Sequence, residues 1–242
     1  FFITIFQKKS NSESKNLQEK NKIKDKLMQE EKGLFFMEEY PLILKSLEDY
    51  FGLSENFPFN QLVTHSKIQK KLHLVSNGLY ELLKNDSRNQ LKLNAVGVKL
   101  FTVNKKLHEK DKTEETCNYR VCQDGLMYVL PFMRKRIFYV GLDFFKKILK
   151  ITDYKIADIE NEEIRNTLNN MTFGCIVLIV IKNFEDLNLS QKEICEYSTE
   201  KYLEFLRKNY LDSITCYNSH YRLSTMINKE HQHVFNLKYD LE

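Results

Sequence analysis

Lys71-Leu72-His73-Leu74-Val75-Ser76-Asn77-Gly78-Leu79-Tyr80-Glu81-Leu82-Leu83 changes its period partway along. Residues 72–75 read as a strand, and Ser76 is placed to cap a short helix presenting Leu79, Leu82 and Leu83 on one face. A strand feeding directly into a helix makes the chain a mixed one, and the pattern repeats outward from here. Downstream, residues 94–103 place Val96, Val98, Leu100 and Thr102 in alternation, as in a half-buried strand. A polar loop follows over residues 104–116. Residues 119–132 read as strand-rich, interrupted by Gly125 and Pro131, and residues 136–140 as another strand.

Asp143 then opens a helix with Lys146, Lys147 and Lys150 near its end, the charge order that the helix dipole favours, and with Phe144, Phe145, Ile148 and Leu149 facing inward. A weaker helix spans about residues 158–170. The run 175–181 is apolar throughout and β-branched in five of its residues, so it predicts a strand buried on both faces. Ser198 caps a further helix with Tyr202, Phe205, Leu206 and Tyr210 inward, and two late strands are expected over 214–223 and 231–239. Upstream, Pro41 with Leu42, Ile43, Leu44, Leu47, Tyr50 and Phe51 predicts a short docking helix, ended by Gly52 and Pro58. Residues 10–32 are nearly all polar and read as a linker, and residues 1–6 as a short strand at a fragment boundary. The order suits a small α+β domain with a partly closed barrel better than a doubly wound sheet, which would alternate strand and helix regularly.

The chain has 242 residues, 42% apolar, enough for a proper core, and its 5 cysteines include no CxxC pair, which favours reduced thiols inside the cell. The longest apolar run is far shorter than the roughly 20 residues needed to cross a bilayer. The net charge of +4 is unevenly spread: residues 1–60 carry 9 basic and 10 acidic groups, 61–150 carry 18 and 8, and 151–242 carry 10 and 15. A basic middle can attract a polyanion, or it is a solvated lysine-rich surface.

No GxGxxG, P-loop, HExxH or GxSxG pattern occurs, so phosphate-cradling, zinc-peptidase and serine-hydrolase readings lack their minimum parts. His231 and His233 would share a face on a strand and so could hold a metal, but no cysteine or carboxylate pattern completes a ligand set, and no metal partner is expected. Cys117 and Cys122 flank Arg120, which could lower a thiol pKa; small buried strand residues are the plainer reading. Arg134-Lys135-Arg136, preceded by Pro131-Phe132, is the densest basic cluster and has aromatic neighbours, as RNA sites combining phosphate contact with stacking do; a solvated turn is the alternative.

In order and spacing, Phe57-Pro58, Lys70-Lys71-Leu72-His73-Leu74-Val75-Ser76, Leu82-Leu83 and Asn94-Ala95-Val96-Gly97-Val98-Lys99-Leu100-Phe101 resemble the region C-terminal to the catalytic domain in eukaryotic tRNA (cytosine-5) methyltransferases of the Sun-domain family. Tyr119-Arg120-Val121-Cys122-Gln123-Asp124-Gly125-Leu126, then Leu130-Pro131-Phe132 and Arg136-Ile137, resemble it most specifically. The resemblance covers about residues 42–149, thins over 173–178, and does not extend through the acidic tail after Glu185.

The resemblance implies a PUA-like mixed β pseudobarrel with peripheral helices over 61–242, a docking helix and connector over 34–60, and a charged, disordered linker over 10–33. Residues 1–9 would be the last strand of a Rossmann-like methyltransferase domain. It further implies a parent enzyme that uses S-adenosylmethionine, with the cysteine nucleophile upstream, and no catalytic residue in this chain. The expected partners are tRNA or another structured RNA and the intramolecular methyltransferase domain, in an intracellular, nuclear or nucleolar setting, with no membrane. Lys99, Arg120, Arg134, Lys135 and Arg136 are the expected RNA contacts. The competing expectation is a domain that braces the methyltransferase domain without touching RNA.

Overall fold

One strand explains the layering. In the computed structural model, which describes residues 32–86, 95–104, 116–151, 153–184, 190–219 and 221–241, strand β8 (Gly174–Ile181) is buried along its whole length. Its odd-numbered residues Cys175, Val177, Ile179 and Ile181 enter one apolar core, and Ile176, Leu178 and Val180 enter another. Alternation of side chains across a strand makes the two sets face opposite ways. The expected N-terminal strand, nearly all of the linker and residues 105–115 of the polar loop lie outside the described residues.

The first sheet is an antiparallel meander in the order β1 (Lys32–Phe36), β2 (Leu62–Ser66), β3 (Lys71–Leu74), β4 (Val98–Val103) and β5 (Tyr119–Val121). The second has the order β6 (Ile137–Val140), β8, β9 (Tyr210–Asn218), β10 (Arg222–Thr225) and β7 (Asp153–Lys155). Only β6 and β8 pair in parallel among the described strands. The fold is α+β as expected, but neither sheet closes into a barrel. Helices occupy the sheet faces instead.

Helix α1 (Pro41–Phe51) starts with proline at its first position, where the missing N–H costs nothing, and buries Leu47, Tyr50 and Phe51 between the sheets. Helix α2 (Asn77–Asn85) is capped by the Ser76 hydroxyl, which accepts from Leu79 N. It covers the outer face of the first sheet through Tyr80 and Leu83, with Tyr80 edge-on to Phe36 at 5.2 Å. Leu82, expected inward, is 57% exposed. Tyr80 holds the face because the sheet offers it an aromatic neighbour.

Residues 123–132 correct the expectation of strand. They form two 3-10 turns around the short helix α3 (Leu126–Val129), despite their aromatic and β-branched content. Gly125 decides this, since a Cβ there would lie 2.5 Å from the Lys99 carbonyl oxygen, so only glycine lets the chain turn this tightly over β4. Beyond β6 come α4 (Leu142–Lys150) and α5 (Glu162–Asn170), the latter capped by Asn161. The tail beyond the reach of the resemblance is integral to the fold: α6 (Gln191–Cys195) has a Ser190–Glu193 capping box, α7 (Thr199–Asn209) is capped by Ser198, and β9 lines β8.

Residues 231–239, expected as a strand, instead belong to α8 (Lys229–Tyr239), begun by Asn228 accepting from His231 N. Phe235 and Tyr239, four apart, both meet Phe145 of α4 edge-on. Helices α4, α5 and α8 thus close the second core. Among the described residues no helix is long and apolar enough to cross a membrane.

Leu178 is fully buried in that second core, so Leu178→Ala should cost about 2–5 kcal/mol in urea unfolding with an unchanged slope. Stability should also respond to pH through one histidine. Burial, then the neighbouring charges of His65, Lys71 and Lys99, push the His73 imidazole from 6.5 down to about 4. Between those values the unfolded chain binds the extra proton and the folded one does not, so this group's contribution to stability is lost as pH falls from about 6.5 toward 4. Melting temperatures measured across that range should fall less steeply in His73→Gln than in the parent chain.

Candidate nucleic-acid interface

The densest basic cluster ends up at the mouth of a cleft. A concavity of about 820 Å³ lies between α1 (Leu42, Lys45, Ser46, Asp49, Tyr50), the turn Arg134, Lys135 and Arg136 leading into β6, and the C-terminal end of α5 (Thr167, Met171, Thr172). Four cations and one carboxylate line it.

The cations sit at different depths. Lys45 and Lys135 are exposed, Arg134 is half-buried, and Arg136 is 8% exposed. Arg136 takes a left-handed backbone conformation (φ 63°), which for a side chain of this size costs about 1–3 kcal/mol. That bend directs the guanidinium over the Tyr50 ring, 4.1 Å from its centre, where it donates to the Thr172 carbonyl at 2.6 Å and to the Thr172 hydroxyl. Arg134 lies 4.2 Å over the Tyr202 ring of α7 and donates to the carbonyls of Pro131 and Met133 and to the Thr199 hydroxyl. Each guanidinium lies over a tyrosine ring while donating to backbone carbonyls, a combination of contacts that a lysine ammonium does not reproduce. Lys135 donates to the Asp49 carbonyl at 3.1 Å.

Tyr50 anchors the floor. Its hydroxyl donates to the carbonyls of Phe173 (3.2 Å) and Cys175 (3.4 Å), and burial pushes its pKa well above the usual tyrosine value. Gly174 between those carbonyls has φ 129°, and a Cβ there would come within 2.1 Å of the Tyr50 hydroxyl oxygen. Tyrosine at 50 therefore leaves room only for glycine at 174.

Lys99 and Arg120, the other two expected RNA contacts, do not line this cleft. Lys99 pairs with Asp124 at 3.2 Å, and the same carboxylate meets His231 of α8 at 3.2 Å. Arg120 donates to the Met226 carbonyl at 3.3 Å. Gln123 reaches across to β9, donating to the Ser213 carbonyl at 2.8 Å and accepting from Thr215 N at 3.0 Å. Arg120, Gln123 and Asp124, the polar side chains of the Tyr119–Leu126 motif, thus fasten the first sheet to the end of the chain. His231 and His233, two apart on a helix, project roughly 200° apart, so the shared face that a metal reading needed does not exist.

Cys117 and Cys122 are buried, and burial raises both thiols above their ordinary values, outweighing the nearby Arg120 at Cys122; neither is an activated nucleophile. Sequence reasoning missed Lys45 and Tyr50 as members of the site. Lys45 is the one basic residue of its helix, and no local pattern links it to residues some ninety positions away.

Residues 33–134 match the family model described as the NSUN2 Pre-PUA domain. The match ends within the basic turn, where the first sheet gives way to the second. No solved structure matches the chain.

Gly174→Ala should destabilise the protein by about 2–4 kcal/mol, through the clash with Tyr50 and the strained φ. Adding Tyr50→Phe removes the clashing oxygen, so the double variant should unfold at higher urea than Gly174→Ala alone. Additive losses in that cycle would contradict the contact.

Proposed function

Since residues 33–134 are a pre-PUA region of the NSUN, Sun-domain RNA methyltransferase family, we propose that this chain holds RNA for such an enzyme, with the cleft between α1 and the basic turn as the contact surface. The observation that carries the reading is the convergence of Lys45, Arg134, Lys135 and Arg136 on one concave site from separate parts of the chain. Lys45 and Arg134 have no carboxylate partner among the described residues, so their charge is available to phosphate. Lys135 is exposed and donates only one bond, to a backbone carbonyl.

In this reading the parent enzyme methylates cytosine C5 in tRNA, in a nuclear or nucleolar setting. S-adenosylmethionine and the cysteine nucleophile belong to the Sun-type catalytic domain. The role of this region is therefore positioning. Phosphates bound on Lys45, Lys135 and Arg134 would fix the RNA relative to the rigid two-sheet body, so that the catalytic domain meets its base in a constant orientation.

A second reading, a brace that does not touch RNA, is favoured by one observation. Arg120, Gln123 and Asp124 of the family-like motif all bond within the fold. Arg120 and the salt-bridged Lys99 lie outside the cleft, so the cleft reading does not use them.

The readings separate in a salt titration of tRNA binding. If the cleft binds phosphate, Lys45→Ala with Lys135→Ala should weaken binding and lower the slope of log affinity against log salt by about one unit for each lysine removed. Neither substitution touches a core residue, so the melting temperature should hold. An unchanged slope would leave the brace as the better description.

A further inference from the structure

Resting on the reading of the cleft as an RNA site, we infer that it is built for unpaired RNA: a single strand, loop or flipped nucleotide enters it, and a continuous duplex does not. The depth of the cations separates the two ligands. A duplex is a stiff cylinder whose phosphates lie on its convex surface, so it reaches only cations that stand proud of the protein. Lys45 and Lys135 do, whereas Arg134 is half-buried and Arg136 is 8% exposed. A cleft of about 820 Å³ falls in the range of roughly 300–1,000 Å³ that encloses ligand-sized groups. It has room for a nucleotide or two, and a strand that lies in it passes all four positive charges.

The lining of the cleft also favours an unpaired strand. Leu42 is 83% exposed, and the half-buried Met171 adds apolar surface to the lining. Bases stacked in a duplex have no use for such surface, while a splayed base gains by covering it. Arg134 supplies a plane as well as a charge. One face of its guanidinium rests on Tyr202 at 4.2 Å, and its bonds to Pro131, Met133 and Thr199 stop it from turning. A planar cation fixed in this way at the cleft lining is a group on which an unpaired base would stack.

The test uses the 242-residue chain and an unstructured RNA of roughly 12 nucleotides, within the usual range of single-strand site sizes, free or annealed to its complement. Fluorescence anisotropy at one salt concentration should give at least about tenfold tighter binding for the single strand. Leu42→Ser, at a position too exposed to affect folding, should weaken the single strand severalfold and leave the duplex unchanged. Arg134→Lys keeps the charge and loses the plane, so it should weaken the single strand by about tenfold without changing the salt slope. Equal or tighter binding of the duplex would overturn the inference while leaving the cleft an RNA site. Binding of neither RNA at low salt would overturn both.

Discussion

Everything in this molecule hangs on β8 being apolar on both faces. An eight-residue strand with no polar side chain cannot lie at a surface, so each face must be covered by a separate layer. The first sheet and α1 cover one face, and α4, α5 and α8 cover the other. The backbone groups of β8 are satisfied by β6 and β9 on its two sides. The cleft lies at the N-terminal entrance of this strand, where Gly174 meets Tyr50.

The Tyr119–Leu126 motif shows how a recognisable pattern can carry a structural role. Gly125 permits the tight pass over β4, and Gln123 uses both ends of its amide on β9, leaving neither Ser213 O nor the buried Thr215 N–H unpaired there. Breaking such a bond exposes a buried donor to a penalty of about 1–3 kcal/mol. Asp124 joins Lys99 to His231 and so draws α8 toward the first sheet. A substitution in this motif would thus disturb the relation between the two sheets before it disturbed any ligand.

The basic turn shows the converse. Arg134 and Arg136 look like solvated charges in the sequence, yet each is pressed onto a tyrosine and bonded to backbone carbonyls. Their positive charge is fixed in place before any ligand arrives, and with it the shape of the cleft. Lys45 and Lys135 are exposed at the cleft, while Arg134 is half-buried and Arg136 almost wholly buried. Among the described basic residues of 61–150, Lys99 and Arg120 bond within the fold, and Arg134, Lys135 and Arg136 line the cleft.

The sequence by itself determined the elements whose signals are local. The doubly buried run at β8, the capping of α2 by Ser76 and of α7 by Ser198, the presence of strand β4 and the family-like motifs were all legible, because spacing and capping act within a few residues; the alternating burial expected of β4 is not seen, since the adjacent Leu100 and Phe101 are both fully buried. It did not determine α8, whose few inward residues gave no clear period, nor the helical turns after β5, whose β-formers are overruled by the close pass at Gly125. It singled out Arg134, Lys135 and Arg136, which line the cleft, but not Lys45 or Tyr50, and it also singled out Lys99 and Arg120, which lie outside the cleft and bond within the fold. Only the tertiary structure decided which charges remain for a partner, because pairing depends on which distant segments meet, and those meetings follow from the burial of both faces of β8.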